Sequence, residues 1–325
     1  MVSYKSLRGD APADDQDVAG YLAHLNQARD VHVSDAARVH IGNTYNSTTD
    51  RSLSQRQSAI LKSLSTLPYR DRKDINPRRV PDTCEWFLAH PLFQQWRDGQ
   101  YCMLWVSAEP GCGKSVLVRH LIDHELLDRP VSGDAPPGST CYFFFKDGLE
   151  DQRTLQGALR CLLHQVFSKR RDLLSEAVLD RFDTQDYLIK STRGLWELFL
   201  EITRSPEAGQ IILLLDAVDE CEEDSRGELY ELLDEFLNEQ GSGRSTNLKL
   251  LLSSRPNADI RIGLRGLPMI HLKGETDEES NKIAQEIRLV IEHQIERLRQ
   301  QFSLPAEYKD SLRGRLMSVE NRTYL

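Results

Sequence analysis

Residues 101–115 read YCMLWVSAEPGCGKS: an apolar run up to Ser107, a loop carrying Gly111 and Gly113, then Lys114 and Ser115. A continuous apolar run closed by a turn is what a strand buried on both faces requires, as in a parallel sheet. The residues that follow, VLVRHLIDHEL (116–126), repeat their apolar positions at helical spacing. Glycines between a buried strand and a helix let backbone N–H groups close around an anion, and the helix N-terminus adds partial positive charge. Glu109, Pro110, Gly111, Cys112, Gly113, Lys114, Ser115 and Val116 are therefore the candidate cofactor-binding residues. Lys114 is placed for the β- and γ-phosphates of a nucleoside triphosphate, and Ser115 for a magnesium ion. One position departs from the motif: Ala108 stands where glycine is usual, so the first turn must be made by a residue with a Cβ.

Outward from this unit, strands alternate with helices. CYFFFKD (141–147), IILLLD (211–216) and LKLLLSS (248–254) read as further buried strands, and MIHLK (269–273) as an edge strand. Between them RTLQGALRCLLHQVFSKR, LLSEAVLDRF, RGLWELFLEITR (behind a Ser191/Thr192 cap) and SRGELYELLDEFLNEQ carry helical periodicity. The alternation sets the fold class as α/β, a P-loop NTPase three-layer sandwich with a mostly parallel sheet and helical flanking segments at both ends.

Ahead of the first strand, SLSQRQSAILKSLS reads as a helix and DRKDINPRRVPD as a charged, proline-containing loop. CEWFLAHPLFQQWRD then reads as one helix capped by Thr83. From about Glu278 the pattern is helical to the end. Residues 1–52 differ. A short amphipathic stretch at Val18, Tyr21, Leu22 and Leu25 precedes a Ser/Thr/Asn/Asp-rich segment, read as a partly flexible arm or adaptor. The alternation at Arg38–Asn46 leaves a strand-pairing signalling segment as the lesser alternative there.

Ligands in open α/β sheets bind beyond the carboxyl ends of the strands. Asp216 emerges at that end of IILLLD and is the second candidate magnesium ligand with Ser115, partly through water. Asp219 and Glu220 follow on the same loop, and one of them, Glu220 for preference, is placed to orient or deprotonate the attacking water. Arg255, after LKLLLSS, leaves the sheet on the same edge and suits the γ-phosphate. Asp219, Glu220 and Arg255 form the candidate catalytic set. His120 and His124 stand four apart on a helix, but no third ligand accompanies them as a zinc site needs. Cys112 reads as a filler of a variable loop position rather than a redox centre.

Composition limits the rest. A net charge of −9 argues against a protein that coats nucleic acid. No apolar run approaches the ~20 residues of a membrane helix. Six cysteines without a CxxC pair sit mostly in apolar stretches, as reduced thiols do, so a cytoplasmic protein is expected.

TCEWFLAHPLFQQWRD leading into LWVSAEPGCGKS, then FFFKDGLEDQRT, LLLDAVDEC and LLLSSRP, together resemble the NACHT branch of signalling NTPases. The resemblance is to the fungal NOD-like-receptor type with a nephrocystin-3-like N-terminal domain, over roughly Leu53 to Leu325. Ala217 after the magnesium aspartate, with Asp219 and Glu220 beyond it, separates this branch from related switches. The resemblance implies ATP/ADP and Mg2+ as cofactors and slow hydrolysis. It also implies a nucleotide-controlled switch of innate-immunity or heterokaryon-incompatibility type, oligomerising only in the full-length form and reaching an effector through its N-terminal region. The expected organisation is an arm (1–52), a helical lead-in (53–100), the NTPase core (101–274) and the start of a helical domain (275–325). The chain reads as truncated within that last region. A small-molecule phosphotransferase and a nucleotide-holding adaptor without turnover are the alternatives. No acceptor-pocket signature supports the former, and no N-K-x-D motif supports GTP over ATP.

Overall fold

Five strands, β1 (Met103–Ser107), β2 (Ser139–Phe144), β3 (Ile211–Asp216), β4 (Leu248–Ser254) and β5 (Met269–His271), form one sheet in the order β2-β3-β4-β1-β5. Every pairing among the described residues is parallel, so the sheet they form is wholly rather than mostly parallel. The computed structural model describes residues 47–126, 136, 138–185, 187–241, 246–303 and 306–318. The stretch at Val18–Leu25, the segment Arg38–Asn46, much of the RPVSGDAPPGST and GSGRST loops and the last seven residues lie outside these. The chain divides into two compact units, residues 1–55 and 56–325. Of the first, only the beginning of a helix is described.

The helices are α1 (Ser47–Leu64), α2 (Tyr69–Ile75), α3 (Glu85–Leu88), α4 (Pro91–Arg97) and α5 (Lys114–His120), the last continued by a π turn to Glu125. After β2 come α6 (Leu155–Lys169), α7 (Glu176–Thr184) and α8 (Thr192–Arg204); after β3, α9 (Glu223–Gly241); after β4, α10 (Ala258–Gly263); after β5, α11 (Asp277–Phe302) and α12 (Ala306–Met317). Crossover helices cover both faces of a parallel sheet, which is why β1, β2 and β4 are buried at every position. On one face Leu104, Val106, Phe144, Leu214, Leu251 and Ile270 share a core with Trp86, Phe87, Phe93 and Trp96 of α3 and α4. Leu117 of α5 and Ile283 and Ile287 of α11 complete it. The alternate strand residues, such as Met103, Phe143, Leu213 and Leu250, face the other side. There α6 packs on β2 and is joined by α8 and α9.

The departures from the sequence reading are local. CEWFLAHPLFQQWRD is two helices, because Pro91 holds His90 in an extended conformation (ψ 131°) and itself starts α4. Thr83 does not cap: its Oγ1 donates to the Val80 carbonyl at 2.8 Å, and Cys84, in a left-handed conformation (φ 67°), precedes α3. Part of the charged loop, Tyr69–Ile75, is helical, anchored by the Tyr69 ring edge-on to Tyr142 at 5.6 Å. β2 begins at Ser139 and ends at Phe144, since the Lys146 N–H turns away to the Gln152 carbonyl. Helix α10 was not anticipated, and the C-terminal helical region breaks at Ser303 (φ 50°). Phe302 and Tyr308 are exposed apolar side chains there. No helix among the described residues is long and apolar enough to cross a membrane.

One buried polar contact ties the strands that carry the site. The Trp105 indole N–H of β1 donates to Ser254 Oγ of β4 at 2.8 Å. Ser254→Ala strands that donor in the core and should cost about 1–3 kcal/mol in urea unfolding. The double variant Trp105→Phe/Ser254→Ala should lose less than the sum of the single losses. Strict additivity would mean that the contact contributes nothing.

Candidate functional site

Four adjacent strands deliver side chains to one sheet edge: β1 the glycine loop, β4 Ser253 and Arg255, β3 Asp216 and the acidic turn after it, and β2 Lys146. The fully buried Ala108 donates its N–H to the Ser254 carbonyl at 3.1 Å, so β1–β4 pairing runs one residue past the strand. Positive φ falls later, on Gly111 (78°) and Gly113 (76°), where an L side chain would cost ~1–2 kcal/mol. Ala108 is not among the positive-φ residues, and its Cβ is accommodated without strain. Gly113 leads directly into α5, so the loop's N–H groups and the helix N-terminus face one concavity. Lys114 Nζ lies back across the loop, donating to the carbonyls of Ala108 at 2.6 Å and Glu109 at 3.3 Å. Burial lowers its pKa, against the opposing charges of Asp219 and Asp216.

Helix α5 carries Ser115 over the end of β3, where its Oγ donates to Asp216 Oδ2 at 2.6 Å. The other carboxylate oxygen accepts from Ser253 Oγ, and that hydroxyl accepts from the Ala217 N–H at 3.0 Å. Asp216 is 1% exposed. Burial raises its pKa; the Ser115 and Ser253 hydroxyls and the Lys114 charge pull it back. A hydroxyl and a carboxylate oxygen in contact form a hard-oxygen donor set of the kind magnesium takes together with phosphate oxygens.

Ala217 is left-handed (φ 56°, ψ 49°), which reverses the chain into a 3-10 turn at Val218–Glu220. The reversal brings Asp219 back to β4. Its Oδ1 accepts from the Arg255 N–H at 3.0 Å and its Oδ2 lies 3.1 Å from Arg255 Nε. The Asp219 side chain is 5% exposed, that of Arg255 45%. Glu220 turns the other way: its Oε2 accepts from Lys146 Nζ at 2.9 Å and the Asp147 N–H at 3.2 Å. Asp219 and Glu220 therefore have separate partners, one just beyond β4 and one beyond β2.

A cavity of about 440 Å3 opens over the loop, lined by Pro110 to Val116 together with Asp219, Glu220 and Arg255. Glu109 is on the loop but not on this wall. The far side has no counterpart in the sequence reading: it is made by Asn76, Pro77, Arg78 and Val80, by Thr83, Cys84 and Trp86, and by Val290 and Gln294 of α11. The only local signal for the first group was the proline-flanked charged segment itself. Lys146 was likewise unforeseen.

His120 and His124 bring their rings to 5.2 Å, and burial pushes His120 down to about 4. Among the described residues no group of three His, Cys, Asp or Glu side chains is arranged to hold a metal. Burial raises the Cys112 thiol, against a reactive role. All six cysteines are free.

The family described as Nephrocystin 3, N-terminal, matches residues 82–255, a little over half of the chain. Vegetative incompatibility protein HET-E-1 of Podospora anserina is 26% identical over 347 aligned residues, taking in all of this chain and 24% of that protein. The chain thus spans about a quarter of the length of this relative.

The raised pKa of Asp216 has a measurable sign. At a pH below the unfolded carboxyl value, ~4, folded and unfolded states are both protonated and the group is neutral for stability. As pH rises toward the raised folded value, the unfolded state ionises first and stability is lost. Asp216→Asn should therefore melt close to wild type at acid pH and above it at neutral pH, measured without nucleotide. A variant less stable than wild type at neutral pH would contradict this.

Proposed function

The chain belongs to the Nephrocystin 3, N-terminal family and carries a NACHT-like domain, and on that premise we propose that it is an ATP-binding, slowly hydrolysing signalling NTPase. The contact of Ser115 Oγ with Asp216 beneath the Gly111/Gly113 loop carries the proposal, because it joins the two expected magnesium donors at the mouth of a phosphate cradle. Gly111 to Val116 would hold the triphosphate, and Lys114 Nζ, now on the Ala108 carbonyl, would supply positive charge to its β- and γ-phosphates. Bound magnesium would neutralise phosphate charge, held by Ser115 directly and by Asp216 partly through water.

Glu220 holds the attacking water. Its carboxylate already has a fixed position from Lys146 and the Asp147 N–H, whereas Asp219 is committed to Arg255. Arg255, half exposed and on the cavity wall, is the group that answers to the γ-phosphate. The resemblance to fungal NOD-like-receptor proteins supports a nucleotide-dependent switch of the incompatibility type. In that role residues 53–100 are the lead-in, 101–274 the core and 275–325 the start of a helical domain, with an effector reached through 1–52 and oligomerisation in a full-length form. ATP/ADP and Mg2+ are the proposed cofactors and the cytoplasm the proposed location.

The test is the nucleotide retained by the purified protein, together with two variants. Lys114→Ala should weaken MgATP binding by at least about a hundredfold while the protein melts normally, since the cation proposed to span the β- and γ-phosphates is gone. Unchanged affinity by calorimetry would remove the phosphate-loop assignment. Glu220→Gln should keep MgATP affinity within about twofold and slow phosphate release about tenfold or more. Turnover untouched by that change would leave the water to another group, and phosphate passed to an added acceptor rather than to water would favour a phosphotransferase.

A further inference from the structure

The side of the cavity away from the phosphate loop is held by a helix that follows the whole sheet in sequence. Helix α11 sends Glu286, Val290 and Gln294, spaced four residues apart, along one face. Val290 and Gln294 line the cavity. Glu286, 5% exposed, does something else: its Oε2 accepts from the Cys84 N–H at 2.7 Å and its Oε1 from the Trp86 N–H at 3.3 Å. Cys84 and Trp86 are cavity-wall residues some two hundred positions earlier in the chain.

Cys84 needs this support. It is a non-glycine residue in the left-handed region, and it opens a helix of one turn whose first N–H groups have no intrahelical acceptor. A side-chain cap from its own segment is absent, since Thr83 is turned to Val80. The carboxylate from α11 supplies the missing acceptor, and a charged acceptor on backbone N–H groups is a strong one. Nearby, Glu279 Oε1 lies 3.3 Å from His90 Nε2, so α11 meets the segment after the wall as well. The Cys84 thiol records the arrangement: burial first, and the Glu286 charge next, push it up to about 12.

We propose that Glu286 is a positioning residue for nucleotide retention, fastening the wall at Asn76–Trp86 to α11 so that the cavity holds its ligand only while α11 is docked. The proposal rests on the nucleotide-binding reading above. Because the carboxylate touches main chain and not ligand, its loss should raise the dissociation rate of ADP and of an ATP analogue alike. That pattern separates it from Arg255, whose effect belongs to the γ-phosphate.

The experiment uses the full chain as wild type, Glu286→Gln, Glu286→Ala and, as a control on the same helix, Glu292→Ala, whose carboxylate pairs with Arg313 instead. Each is loaded with fluorescent MgADP and chased with excess unlabelled nucleotide, and iodoacetamide labelling of Cys84 and Cys161 is followed in parallel by mass spectrometry. Dissociation should be several-fold faster in Glu286→Gln and about tenfold or more faster in Glu286→Ala, with Cys84 labelling rising in the same order. Glu292→Ala should stay within about twofold of wild type, and the buried Cys161 should remain protected in all. If Cys161 becomes reactive in Glu286→Ala, that variant has unfolded and Glu286→Gln decides. Wild-type release rates with only a lowered melting temperature would overturn the proposal and leave Glu286 a stability residue. Failure of wild type itself to hold nucleotide would sink the functional reading instead; unchanged Cys84 labelling would then remove the fastening role too.

Discussion

The lateral order of three strands controls everything at the site. β4 lies between β1 and β3, so the glycine loop and Asp216 leave the sheet about two strand spacings, ~10 Å, apart. That distance is too great for direct contact between the strand ends and is bridged by the first turn of α5, which carries Ser115 across to Asp216. The strand between them contributes the groups that finish the arrangement: Ser253 to the second oxygen of Asp216, and Arg255 to Asp219. A different order would leave the same residues chemically intact and unable to meet. The parallel pairing of Ser107 with Ser254 is thus a distance constraint on chemistry as much as a source of stability.

Consecutive residues are enough to read the sheet strands and the glycine loop after β1, since both are local in sequence. IILLLD and LKLLLSS became β3 and β4 without shift, because strands buried at all positions, or at all but Ile212 in β3, have no alternation to misread. Apolar spacing runs unbroken across Pro91 and hides the break there, which comes from the restriction proline places on the residue before it. What periodicity does not encode is pairing across long separations. Lys146 and Glu220 are 74 residues apart, Glu286 and Cys84 are 202 apart, and no local pattern around one member of either pair points to the other. Half of the cavity wall belongs to this class, which is why its glycine-loop side was legible and its far side was not.

The polar groups of the site are stressed in different ways. Asp216 is fully desolvated and hydrogen-bonded by two hydroxyls, with the Lys114 charge acting on it without an ion pair, an arrangement that favours gaining a cation. Asp219 is almost as buried but already has Arg255, so its charge is satisfied within the protein. Glu220 remains at the rim with an exposed lysine, where a water can reach it. Three acids within five residues thus occupy three electrostatic situations, set by the single backbone reversal between Asp216 and Val218.

That reversal depends on Ala217, and it makes the position a narrow passage for evolutionary change. A left-handed backbone excludes β-branched and bulky side chains, so the stretch around it can drift through very few residue types without unfolding the acidic turn. Glycine would relax the turn and also free it to wander in the unfolded and folded states alike; alanine keeps some strain and much of the stiffness. Lineages that exchange one for the other at this point would be trading rigidity of the acidic turn against ease of folding, with the three carboxylates unchanged. A one-carbon difference at Ala217, on the cavity wall, would then set how stiffly three neighbouring carboxylates are held across generations.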